Sequence, residues 1–140
     1  MTTPAYDLPL PRPTAVSKPF WDAAREHRLV VQRSSRTGKT ILYPRIVSPF
    51  AADDALEWVD ASGKGRVVAA TVVRTSTDPA WAQRTPYVVA IVELEEGARL
   101  TTNIVDCDPD TVRPGMAVAV RFDDVTPEVT LVKFAPADQP

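Results

Sequence analysis

The residues best placed for chemistry sit in two short turns between Val30 and Trp58 (VVQRSSRTGKTILYPRIVSPFAADDALEW). The first turn is Ser34-Ser35-Arg36-Thr37-Gly38 and the second is Ser48-Pro49-Phe50-Ala51. Two residues separate Ser34 from Thr37, and two separate Ser48 from Ala51. Cysteines at that spacing put a thiolate on each side of a knuckle turn, and two such knuckles close a tetrahedron around one zinc ion. Here the four places hold two serines, a threonine and an alanine. Neutral hydroxyls are poor zinc ligands and alanine offers none, so no zinc and no other cofactor is expected. The layout of a zinc ribbon is present and its metal chemistry is not.

Cys107 and His27 are the sole cysteine and histidine. A disulfide or thiolate cluster within the chain is excluded. Acyl-transfer chemistry of the thiolate kind needs a cysteine nucleophile beside a histidine base. These two residues fall in unlike stretches with no motif around either. Cys107 reads as a structural thiol, and no catalytic residue is assigned.

Charge is uneven along the chain. Formal net charge is −2, yet the segment from Lys18 to Arg45 carries seven basic residues against Asp22 and Glu26. That segment is +5 and the rest is −7. It is either a solvated basic face or a surface for an anion or an acidic partner. The overall balance argues against general nucleic-acid binding, which needs many phosphate-neutralising side chains.

Several elements must position these residues. The 140 residues with 44% hydrophobic content suit one compact unit, or two small ones sharing a core. No apolar run reaches the length of a membrane span, and the start MTTPAYDLPLPRP lacks a basic region followed by an apolar one, so a soluble cytoplasmic protein is expected. Leu8-Pro9-Leu10-Pro11-Arg12-Pro13 reads as an extended arm that Leu8 and Leu10 could dock on this chain or a partner. Ser17 as N-cap and Pro19 in the first turn predict a helix to about His27. Phe20, Trp21 and Ala24 share its apolar face, which packs on the core or on a partner.

Leu29 to Gln32 and Thr40 to Tyr43 read as antiparallel strands joined by the first knuckle, and Leu56 to Val59 as the strand leading out. From Ser62-Gly63-Lys64-Gly65 onward the pattern is all-β. Arg66 to Arg74, Tyr87 to Glu95, Arg99 to Cys107, Ala117 to Phe122 and Val129 to Phe134 alternate as strands. A connection at 108–116 has room for one helical turn. Five such strands fit a closed Greek-key barrel of the OB kind. The loop from Thr75 to Pro86 carries Trp81, either as a plug for one barrel end or as a functional aromatic. The chain is thus mainly β: arm and helix at 1–29, a metal-free ribbon at 30–60, a barrel at 61–136 and a tail at 137–140, with order fading from Ala135.

Taken in order, these stretches resemble the acyl-CoA-associated family of a rubredoxin-like zinc ribbon followed by an OB fold, known as domain of unknown function thirty-five. The resemblance rests on Leu10-Pro11-Arg12-Pro13-Thr14, Pro19-Phe20-Trp21-Asp22, Arg28 to Arg33, Tyr43-Pro44-Arg45 and Leu56-Glu57-Trp58. It continues through Ser62 to Gly65, Pro86 to Leu94 and Arg113-Pro114-Gly115-Met116, and covers about residues 8–136. It implies an accessory subunit of a thiolase-superfamily enzyme: a thiolase, an acyltransferase or a thiolase-like aldolase, in some complexes with a hydratase. Acyl-CoA metabolism follows, such as fatty-acid, sterol or aromatic degradation, or acyl transfer in secondary metabolism. This chain departs from the family's cysteine pattern at Ser34, Thr37, Ser48 and Ala51.

Without zinc, the ribbon needs another support. An apolar cluster of Ile41, Tyr43, Ile46, Phe50 and Leu56 is expected, with the Ser34 and Ser48 hydroxyls bonded to knuckle N–H groups, or else packing on a partner subunit. The leading functional expectation is a non-catalytic subunit of a hetero-oligomer. The alternative is a stand-alone CoA- or acyl-CoA-binding module, and a nucleic-acid-binding OB protein is a third reading. Phe20, Trp21, Arg33, Arg36, Arg45 and Trp81 are the expected contact residues for partner or CoA.

Overall fold

The computed structural model describes residues 6–137. Helix α1 spans Lys18–Arg25, with Pro19 in its first turn where no N–H is needed. Ala23 and Ala24 are buried, and Phe20 packs against the hydrophobic core. Ser17 does not cap the helix: its backbone is helical and its Oγ accepts the Thr14 N–H instead (2.9 Å). The helix also stops short of His27. That residue takes a left-handed φ of 59°, while the Glu26 and Arg28 amides both bond back to the Ala23 carbonyl.

A small antiparallel sheet follows, ordered β2-β1-β3, from β1 (Val30–Ser34), β2 (Thr40–Ile41) and β3 (Leu56–Asp60). Gly38, at φ 74°, makes the knuckle between β1 and β2, where its N–H bonds the Ser34 carbonyl at 2.9 Å. Strand β2 is half its expected length because a side chain replaces the ladder beyond Ile41. The buried Gln32 donates Nε2–H to the Arg45 carbonyl (2.9 Å) and accepts the Arg45 N–H on Oε1 (2.7 Å). The amide thus acts as a surrogate β-bridge.

The barrel contains β4 (Lys64–Val73), β5 (Tyr87–Leu94), β6 (Arg99–Ile104), β7 (Ala117–Asp124) and β8 (Thr130–Pro136). They close in the order β4-β5-β6-β8-β7, antiparallel except where β6 meets β8 at Ile104 and Phe134. Strand β4 bulges between Val67 and Ala69, which lets it pair with β5 along its length and with β7 at its start. Gly65 must be glycine, since a Cβ there would lie 2.6 Å from the Glu93 carbonyl oxygen. Strand β6 ends before Cys107 because Asp106 turns the chain at φ 62°. A single 3-10 turn, Pro109–Thr111, occupies the connection to β7.

Alternate residues of β5 (Val88, Ala90, Val92, Leu94) point inward to meet Val67, Leu100, Ile104, Val118 and the fully buried Phe134. Leu29 and Val31, from the start of the small sheet, belong to the same core, so ribbon and barrel share one interior. Order extends past the expected limit: Ala135 is buried in β8, and the Ala137 N–H bonds the Ala117 carbonyl (3.0 Å). The rest of the expected tail lies outside the described residues. At the other end, Leu8 is buried and Asp7 pairs with Arg84 at 2.7 Å, so the arm docks on its own chain while Leu10 stays exposed.

Candidate functional site

The two knuckles close on a carboxylate. Asp54 Oδ2 accepts the hydroxyl protons of Ser34 and Ser48, each at 2.5 Å, one from each knuckle. Its Oδ1 accepts the Ser35 hydroxyl and the Arg36 N–H, each at 3.0 Å. The same serines also accept: Ser34 Oγ from the Thr37 N–H and Ser48 Oγ from the Phe50 N–H, both at 3.0 Å. The expected bonds from knuckle N–H to hydroxyl are therefore present. These donors, Ser34 first and then Ser48, hold the Asp54 carboxyl well below the usual carboxylate range. The residues do not fit a zinc ion. Thr37 Oγ1 faces its own loop, Ala51 has no donor, and the hydroxyl lone pairs are engaged.

The expected apolar cluster does not form. Ile41, Phe50 and Leu56 are half-buried, but Tyr43 is 57% and Ile46 82% exposed. The Gln32 clamp and the Ser48 bonds fix both ends of the segment 44–50, and its middle, Ile46 and Val47, is pushed into solvent. Tyr43 ties that segment to the barrel, where its hydroxyl accepts the Thr101 N–H of β6 (2.9 Å). This amide lies on the edge of β6 that diverges from β8, and the ring covers a backbone donor the barrel leaves open.

Beside this tie runs an apolar groove of about 410 Å³. Phe20 and Trp21 of α1 form one wall, Leu42 to Pro44 another, and Leu100 and Leu131 the floor. The two α1 rings meet edge to face with centroids 5.0 Å apart. The groove exists because β6 and β8 pair only near Ile104 and then separate, bridged by Thr102 Oγ1 donating to the Val132 carbonyl (2.9 Å).

Of the six expected contact residues, Phe20 and Trp21 line the groove, and Arg45 lies next to the groove-wall residue Pro44 in the exposed segment. The Arg45 backbone is clamped, while its guanidinium has no hydrogen bond or ion pair among the described residues. Arg33 is paired to Glu57 at 2.7 Å and Arg36 to Asp53. Arg28 pairs with Glu26 and Asp60, and Lys18 with Asp22. Much of the basic excess is thus neutralised inside the chain. Trp81 stands apart. It lies on the short helix α2 (Pro79–Ala82), packs on Tyr87 at 5.2 Å, and lines a second cavity with Leu8. Asn103, Leu131 and Lys133 border both cavities.

His27 stacks flat on Phe122 (5.2 Å between centroids), with Nε2 3.0 Å from both carboxylate oxygens of Asp124. The Thr130 hydroxyl, and then His27, hold Asp124 below the ordinary carboxylate value. This contact pins the end of α1 to β7. The residues that sequence reasoning missed are Asp54 and Gln32. The available signal for the first was an acidic pair, Asp53-Asp54, just past a knuckle whose ligand places had become hydroxyls.

The barrel order is that of an OB fold, here preceded by a helix and a ribbon with a carboxylate at its centre. Residues 58–123 match the family model described as "ChsH2, C-terminal OB-fold domain". The chain belongs to the DUF35 family. It is 42% identical over 115 residues to a "DUF35 domain-containing scaffold protein" of Methanothermobacter thermautotrophicus, covering 76% of this chain and 86% of that one. A "Probable enoyl-CoA hydratase alpha subunit" of Thermomonospora curvata is 40% identical over 120 residues, or 84% of this chain. The present chain spans only 37% of that subunit's length. Among solved structures, a chain of the "Ltp2-ChsH2(DUF35) aldolase" superposes with a TM-score of 0.80 at 35% identity, covering 91% of this chain and 98% of that one. No helix among the described residues is long and apolar enough to cross a membrane.

Proposed function

We propose that this chain is a non-catalytic scaffold subunit that docks on a thiolase-superfamily enzyme acting on acyl-CoA substrates. The observation that carries the reading is the near-complete match to the DUF35 chain of an aldolase assembly. Two local features support it. The groove beside Phe20 and Trp21 and the exposed Ile46 and Val47 give an apolar surface of the kind subunit contacts use. The lone cysteine and lone histidine offer no catalytic pair of the thiolase type. A stand-alone CoA- or acyl-CoA-binding module is the second reading, and it draws on the size and apolar lining of the groove.

Co-expression with a tagged thiolase-like enzyme from the same genome tests the first reading. The two chains are expected to elute together at fixed stoichiometry. Trp21→Ala and Arg45→Glu should each weaken the complex about tenfold or more, as loss of an interface anchor does. A chain that stays monomeric with every such enzyme would sink the proposal. Calorimetric binding of CoA by the chain alone would move the conclusion to the second reading.

A further inference from the structure

We infer that Asp54 has replaced zinc as the knot of the ribbon, so that a charge-inverted centre holds the two knuckles without metal. In a zinc ribbon a cation sits at the centre and four anionic sulfurs face it. Here an anion sits between the knuckles, and four hydrogen-bond donors face it: the hydroxyls of Ser34, Ser35 and Ser48 and the N–H of Arg36. The arrangement links what the metal would link. Ser34 belongs to the first knuckle and Ser48 to the second, and both donate to the same oxygen, Oδ2.

The polarity of each serine settles the direction of the network. A hydroxyl has one proton. Ser34 and Ser48 give theirs to Asp54, and their lone pairs accept the Thr37 and Phe50 amides. A metal ion at this place would have to strip four donors from the carboxylate and displace two backbone amides. Both serines are buried, at 1% and 7% exposure, so water is poorly placed to take over those roles. The set also has to change together. Cysteine thiolates at 34 and 48 would face the Asp54 carboxylate as like charges, and Asp54 without the serines would have lost its best donors. Serine at both first-ligand places and aspartate at 54 are therefore one feature, not three.

The experiment uses the full chain and needs no partner, so it is independent of the scaffold reading. Metal analysis after purification with added zinc should find less than about one-tenth equivalent per chain, and chelator should leave the thermal transition unmoved. Stoichiometric zinc, or a transition lowered by chelator, would overturn the inference. Amide exchange gives the second measurement. Asp54→Asn should speed exchange of the Thr37 and Phe50 amides about tenfold or more relative to the β5–β6 core, whereas Asp53→Asn should leave both unchanged. If Asp54→Asn fails to fold, Ser48→Ala decides at the other knuckle, with an expected rise of about fivefold at the Thr37 amide, whose own acceptor Ser34 Oγ is untouched. Unchanged exchange in the deciding variant removes the proposed role of Asp54.

Discussion

At the scale of the residue, the decisive group is a carboxylate with one partner six residues back, at 48, and three much farther back, at 34, 35 and 36. Hydrogen bonds to its charged form depress its pKa. A carboxyl lowered on folding contributes stability above its unfolded value, near pH 3.9, and loses it as pH falls toward the folded value. The knuckles should therefore stay closed at pH 5 and loosen below about pH 4, an acid step readable from the Thr37 and Phe50 amides. In Asp54→Asn that step should vanish. An identical acid step in the variant would assign it to other carboxylates. The serine-to-amide bonds were legible from the sequence, while the carboxylate was not, because a hydroxyl–carboxylate cage has no periodicity and no fixed spacing. Ligand loss was visible at Ser34, Thr37, Ser48 and Ala51; the replacement was not.

At the scale of the element, strands were easier to read than what joins them. Alternation along Tyr87 to Leu94 follows directly from burial on one face, and the long run from Lys64 to Val73 has the β-branched content of a barrel strand. Strand β2 misled because Thr40 to Tyr43 has the pattern of a strand while Gln32 supplies the bonds that a longer ladder would have made. Tyr43 and Ile46 are large enough to suit an interior and instead face out, since the clamp fixes the backbone before side-chain preference can act. Gln32→Ala would strand the Arg45 N–H and carbonyl together. It should cost about 1–3 kcal/mol in urea denaturation and make the segment 44–50 more open to protease than it is in the wild type. Equal stability and equal cleavage would mean the clamp follows the segment's conformation and does not cause it.

At the scale of the molecule, the helix, ribbon and barrel are bound into one interior by Phe20, Leu29, Val31 and Phe134. The Glu96 turn adds a polar tie, with its carbonyl accepting the Thr40 hydroxyl (2.8 Å) and its Oε2 accepting the Ser62 N–H (2.7 Å). Phe134→Ala removes the largest fully buried side chain and should cost about 3–5 kcal/mol. Because the core is shared, tryptophan fluorescence, to which Trp58 of the ribbon contributes beside Trp21 and Trp81, and far-ultraviolet dichroism should shift together in that variant. Separate transitions would show two cores. A shared core fits the length and composition, and the five barrel strands with their Greek-key closure fit the pattern, but which residues join the two sheets does not follow: it depends on where Leu29 and Val31 point, and alternation does not fix that across two sheets.

One consequence lies in the exposed pair Ile46 and Val47. A rigid apolar tip in water is tolerable in a subunit that rarely travels alone and a hazard in one made to excess. If the tip is normally covered, dosage becomes a structural matter. In that case copies produced beyond the supply of a covering partner would stick to one another or to chaperones, and balanced synthesis of the two chains would be part of how this fold stays in solution.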